Sequence, residues 1–152
     1  MTENFLLDGT RRWAEAFASP MPEGIEPLLA LAAPDIRFTD PFSDVTGREG
    51  LRAVLVDMSE RCTQARFDIL DVAASQRAGY IRWHFRFVPR GRDGKAWEFQ
   101  GMSEILFADD RLVRHHLDHW DSASQLYARL PVLGWPVRRM RAALAVTTPP
   151  PE

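Results

Sequence analysis

The sequence predicts an α+β domain in which N-terminal helices cover an antiparallel sheet. Apolar residues recur at helical spacing up to residue 62, and from residue 65 the pattern switches to the alternation of strands. The apolar side of those strands must be covered, and the helices that precede them are the elements available to do it.

A chain of 152 residues suits one domain, expected over residues 1–146, with the proline-rich 147–152 as a disordered tail. A net charge of -2 provides no field that would gather a nucleic acid. The single cysteine, Cys62, excludes an intramolecular disulfide and fits a reducing cytoplasm. Charges at Asp8, Arg11, Arg12 and Glu15 interrupt any secretory-signal pattern, and no stretch approaches the roughly 20 apolar residues of a membrane span. The expectation is a cytoplasmic protein without a membrane or nucleic-acid partner.

Leu6, Thr10, Trp13 and Phe17 share one face of a helix over residues 4–19, which Pro20 and Pro22 stop. A shorter helix, Glu23–Leu31, runs up to Pro34. Asp35–Asp40 alternates as a short strand, and Pro41 holds Asp40 extended. Leu51, Val54, Leu55, Met58 and Cys62 then give a third helix its apolar face, with Cys62 as a small core residue. Four strands follow at 65–76, 80–89, 97–108 and 112–121, joined by short turns into an antiparallel meander. In the second of them Ile81, Trp83, Phe85 and Phe87 share a face, opposite Arg82, His84 and Arg86. Ser122–Leu130 reads as a helix broken by Pro131, and Pro136–Val146 as a short basic helix carrying Arg138, Arg139 and Arg141. That last helix could touch a membrane or a partner, but closing over the domain's own core is the expectation.

The reactive residues concentrate in the hairpin Trp97–Asp121. Alternation puts Arg114, His116, Asp118 and Trp120 on one face and Val113, His115, Leu117 and His119 on the other. If the first face is interior, a histidine and a carboxylate sit among aromatics, as acid–base groups do. If the second is, they are merely solvated.

The order helix, helix, strand ending in Asp-Pro, helix, four strands resembles the nuclear transport factor 2-like superfamily, over about residues 4–121. The stretch HLDHWD followed by YARLPVLG looks most like its SnoaL-like branch. The resemblance implies a strongly curved antiparallel sheet wrapped into a cone, N-terminal helices on its concave face, an extra C-terminal helix and a hollow between. Ketosteroid isomerases of this superfamily place a base at a strand-end Asp-Pro, which here is Asp40. Their oxyanion pair falls on Trp13 and Ser103, a departure from the pattern. Epoxide hydrolases and SnoaL-like cyclases place an acid–base Asp on the last strand, which here is Asp118. The hydrolases' remaining Arg and Asp fall on Ile81 and Trp83.

These residues suggest a cofactor-independent acid–base enzyme of isomerase, cyclase or hydratase type, acting on a hydrophobic, carbonyl-bearing small molecule. Asp118 is the candidate base, His116 its acid or oxyanion partner, and Asp40 a second carboxylate at the wall. Trp13, Phe17, Phe38, Met58, Trp83, Phe85, Ser103 and Trp120 are the candidate ligand contacts, and the aromatic ones would supply the desolvation that such a base needs. Each residue also has a plainer reading: Asp40 as a turn residue bonded to backbone N–H groups, His116 as a hydrogen-bonded core histidine, Asp118 as its structural pair, and the aromatic stripe as core. No metal is expected, because on a strand His115 and His116 face opposite ways. The alternative class is a ligand-binding or dimerisation module without turnover. A homodimer is expected in either case, through the polar face carrying Arg82, His84, Arg86, Glu98, Gln100 and Glu104.

Overall fold

The computed structural model describes residues 3–91 and 94–145. They belong to two compact units, the first ending at Trp120 and the second beginning at Asp121. The tail expected over 147–152 lies outside the described residues.

The first unit contains helices α1 (Glu3–Phe17), α2 (Ile25–Ala30) and α3 (Gly47–Arg61). Its strands are β1 (Ala32–Thr39), β2 (Asp44–Thr46), β3 (Cys62–Ala74), β4 (Gly79–Pro89), β5 (Trp97–Phe107) and β6 (Val113–His119). The strands form one curved, unclosed sheet in the order β2-β1-β6-β5-β4-β3. The α+β class is therefore as expected, with one correction to the pairing. β6 runs antiparallel to β5 but parallel to β1, so the sheet is not wholly antiparallel. Alternation reveals which side of a strand a residue takes, not which strand lies alongside it.

The helices bury the stripe their spacing predicts. Leu6, Thr10 and Trp13 are fully buried on α1, and the Thr10 hydroxyl is satisfied by the Leu6 carbonyl at 2.6 Å. Glycine at 79 is what lets this helix approach β4, since a Cβ there would sit 1.7 Å from Thr10 Oγ1. Leu28, Leu29, Ile36, Leu51, Leu55, Ile105 and Val113 complete the core.

In β4 the alternation holds throughout: Ile81, Trp83, Phe85 and Phe87 are buried while Arg82 and Arg86 are exposed. In β6 it breaks once. The ladder with β5 skips Arg114, pairing Leu106 with His115 and Phe107 with Val113, so Arg114 is the extra residue of a bulge. Val113 is consequently buried, and Arg114 points outward to Asp35 at 3.8 Å instead of sharing the side of His116. From His116 on, the parity is regular.

Two further boundaries differ from expectation. Cys62 is not on the helix face but opens β3, half-buried, and burial pushes its thiol pKa up. β2, unforeseen at three residues, closes a hairpin with β1 in which Phe38 pairs with Val45.

In the second unit Asp121 caps α4 (Ser122–Gln125), accepting from the Ser124 N–H at 2.9 Å and from the Ser124 hydroxyl, and these bonds lower its carboxyl pKa. The helix expected over Ser122–Leu130 is thus a single turn followed by a 3-10 turn, Tyr127–Arg129. Ser122 and Ser124, whose hydroxyls compete for backbone groups, sustain no more than that. Helix α5 spans Gly134–Leu144.

Candidate functional site

Three neighbouring strands and one helix bring the reactive residues together. Across the ladder, Phe38 lies opposite His116, Ser103 opposite Asp118, Gly101 opposite Trp83, and Phe85 opposite both Phe99 and Phe67. Asp118 and Ser103 are thus paired by register, and the Ser103 hydroxyl donates to Asp118 Oδ1 at 2.5 Å. His116, two residues back on the same side, sets Nε2 2.8 Å from the same oxygen.

Each of these two donors is itself held by a tryptophan. The Trp13 indole N–H donates to His116 Nδ1 at 2.9 Å, and the Trp83 indole N–H donates to Ser103 Oγ at 2.9 Å. An indole N–H can only donate, so His116 Nδ1 is the acceptor, and the ring proton sits on Nε2 facing Asp118. The five side chains therefore form one directed chain, Trp13 to His116 to Asp118 from one side and Trp83 to Ser103 to Asp118 from the other. The glycine at 101 makes room for it: a Cβ there would lie 2.5 Å from the Trp83 ring and 2.9 Å from the Trp120 Cβ.

Both donors meet Asp118 at Oδ1, and Oδ2 takes no donor from the described residues. No buried side-chain oxygen or nitrogen among those residues lacks a partner, so Oδ2 opens onto accessible space. Asp118 also borders a cavity of about 670 Å³. Its other borders include Phe17, Phe38, Met58, Trp83, Phe85 and Trp120 among the residues singled out by sequence. Trp13 and Ser103 stand behind the wall, and His116 lies sandwiched between the rings of Phe17 and Phe38, with centroids 5.0 and 4.9 Å away. The His116 proton is directed at Asp118 and not into the cavity.

Asp40 also borders the cavity, and its Oδ1 closes the hairpin turn by accepting from the N–H groups of Phe42 and Ser43 at 2.7 and 2.6 Å. It is therefore at the wall and in the turn at once. Arg61 reaches the same cavity but is paired with Asp57 at 2.6 Å.

Sequence reasoning passed over Phe67, Phe87 and Phe99, which also border the cavity. Phe87 was available from the alternation it shares with Phe85. Phe67 depends on register, since it stacks on Phe85 at 4.1 Å across a ladder with two irregularities.

The model of one protein family, the SnoaL-like domain, matches residues 10–115. The chain belongs to this family. Solved structures agree with the SnoaL-like fold. An NTF2-like protein of unknown function from Burkholderia pseudomallei superposes with a TM-score of 0.66 at 20% identity, covering 82% of this chain and 95% of that one. A protein with a ketosteroid isomerase-like fold from Catenulispora acidiphila, in complex with trimethylamine, gives 0.66 at 16% identity over 78% and 89% of the two chains. A candidate polyketide cyclase from Xanthomonas campestris gives 0.66 at 14% identity over 80% and 94%. No curated protein matches the sequence. Among the described residues, no helix of this SnoaL-like protein is long and apolar enough to cross a membrane.

Proposed function

We propose that this SnoaL-like domain is a cofactor-independent acid–base enzyme of isomerase, cyclase or hydratase type acting on a hydrophobic, carbonyl-bearing small molecule. The observation that carries the reading is one carboxylate: Oδ1 of Asp118 is held by two donors, Oδ2 takes none from the described residues and is not fully buried, and Asp118 borders an aromatic-walled cavity. In this reading Oδ2 removes a proton from carbon next to the substrate carbonyl, the C–H electron pair moves into the carbonyl as an enolate, and the proton is returned from Oδ2. His116 and Ser103 are positioning residues, because their protons are spent on Oδ1. Asp40 is a second carboxylate at the rim. The aromatic walls exclude water from the reacting face.

A second reading, binding without turnover, is favoured by a different observation. No arginine or lysine pairs with Asp118 among the described residues, and aromatic faces surround the cavity. A carboxylate among aromatic rings suits a small alkylammonium ion. The trimethylamine bound to the Catenulispora acidiphila protein supports that class of ligand for this fold.

The deciding experiment is deuterium exchange into a panel of enolisable ketones by the natural protein and by Asp118→Asn, with calorimetric titration of tetramethylammonium alongside. Exchange by the natural protein alone supports the enzyme. Equal exchange by both overturns it, and ammonium binding lost in Asp118→Asn without any exchange leaves the binding module. A homodimer through the charged outer side, where Arg86 and Glu98 pair at 2.5 Å, belongs to the same proposal, as does a cytoplasmic setting consistent with the single cysteine. A monomer by light scattering at micromolar concentration would remove the dimer.

A further inference from the structure

The second unit carries a surface for which the acid–base site has no use. Five of the nine large hydrophobic side chains exposed among the described residues fall between Val132 and Leu144: Val132, Leu133, Trp135, Met140 and Leu144. At 100° per residue, Leu133, Pro136, Val137, Met140 and Leu144 gather on one side of α5, with Arg141 and Arg139 on its two flanks and Arg138 and Trp135 opposite. Met140 is 56% exposed and Leu144 78%, so the other residues of the second unit leave the stripe bare.

The helix is braced by its own unit. Arg138 donates to the Ala128 carbonyl at 2.6 Å, and a Cβ on Gly134 would lie 2.6 Å from that same oxygen, so the 3-10 turn packs directly against the first turn of α5. Arg139 lies over the Trp135 ring, 5.3 Å from its centroid. The amphipathic shape is thus built before any partner arrives.

Charge identifies the partner. Arg129, Arg138, Arg139 and Arg141 occur in a run, Ser122–Pro151, that contains no Asp or Glu, although the whole chain is net -2. Nucleic acid would answer the arginines but leave the bare stripe in water, whereas an anionic bilayer surface answers both. At about 1.5 Å per residue the eleven residues of α5 reach roughly half of a bilayer's hydrocarbon thickness, so the helix lies in the interface and does not span it. The family model stops at residue 115, before this unit begins.

We propose that α5 docks the protein peripherally on an anionic phospholipid surface, its apolar stripe among the acyl chains and its arginines at the phosphates. This departs from the sequence expectation that no membrane is a partner. The proposal is independent of the chemistry at Asp118.

The test is co-sedimentation of the full chain with extruded vesicles of phosphatidylcholine alone or with 30% phosphatidylglycerol, at low and high salt. The natural protein is expected to bind the anionic vesicles, to ignore the neutral ones and to be released by salt. The R138E/R139E/R141E variant is expected to lose roughly a hundredfold in partitioning. Met140→Asp is expected to bind at least tenfold more weakly with all three arginines still in place, and unchanged circular dichroism keeps both variants interpretable. Absence of binding by the natural protein, or binding that neither variant alters, overturns the proposal. So does a dimer that Met140→Asp converts to monomer while the natural protein ignores both vesicle types, which would make a second copy the occupant.

Discussion

The Trp13 indole N–H meets His116 Nδ1 at 2.9 Å, and this single bond decides which imidazole nitrogen carries the proton. Trp13 is fully buried and His116 nearly so, so water does not compete for either partner. The proton is thereby committed to Nε2, where it anchors Asp118.

Trp13→Phe removes that donor and the second ring of the indole, so a cavity adds to the lost bond. The variant is expected to lose about 1–3 kcal/mol of unfolding free energy from the stranded Nδ1 acceptor. Long-range proton–nitrogen NMR of His116 is the sharper measurement: a single Nε2–H tautomer in the natural protein and a mixture in Trp13→Phe. The same mixture in both proteins would show that the indole does not direct the ring.

On the other branch, Ser103→Ala strands the Trp83 indole and takes one donor from Asp118. Denaturant unfolding should show a loss of about 1–3 kcal/mol. Trp83→Phe should then cost less in the Ser103→Ala background than in the natural one, with a coupling of at least about 0.5 kcal/mol in a double-mutant cycle. Strict additivity would break the chain at that link.

Gly101→Ala places a methyl group 2.5 Å from the Trp83 ring, between it and Trp120. Overpacking of this kind costs about 1–3 kcal/mol. The near-ultraviolet circular dichroism should change with it, because both indoles must shift. An unaltered melting temperature and spectrum would mean the wall can yield there.

His115, on the outward side of β6, has its pKa lowered below the usual 6.5, chiefly by burial and then by Arg37. The folded state therefore takes up this proton less readily than the unfolded chain. The contribution to stability is complete above about pH 6.5 and is lost as pH falls through the folded value. Comparing stability against pH for the natural protein and His115→Gln should remove one acid-side slope in that window, and identical curves would deny the linkage.

The sites of helix and strand were legible because burial writes itself into period. Leu6, Thr10 and Trp13 recur every three to four residues, and Ile81 through Phe87 every two, and these are the residues found inside. Parity puts Asp118 on the side of His116 but leaves open whether that side is the interior. What period does not encode is the neighbour. The pairing of β1 with β6, the bulge at Arg114 and the stacking of Phe67 on Phe85 all depend on register between segments far apart in sequence. The tryptophan bonds were illegible for that reason: Trp13 and Ser103 could be named as positions but not as supports for the two residues that hold Asp118.

The placement of β6 between β1 and β5 has a consequence for how the molecule is made. On a ribosome, the first hairpin and the three-stranded meander emerge as separate pieces, each with a raw edge, and the last strand must slot between them to join the two. Asp118 and His116 ride on that keystone. No nascent fragment that ends before this strand carries Asp118 or His116, and assembly of the sheet and completion of the candidate site become one event.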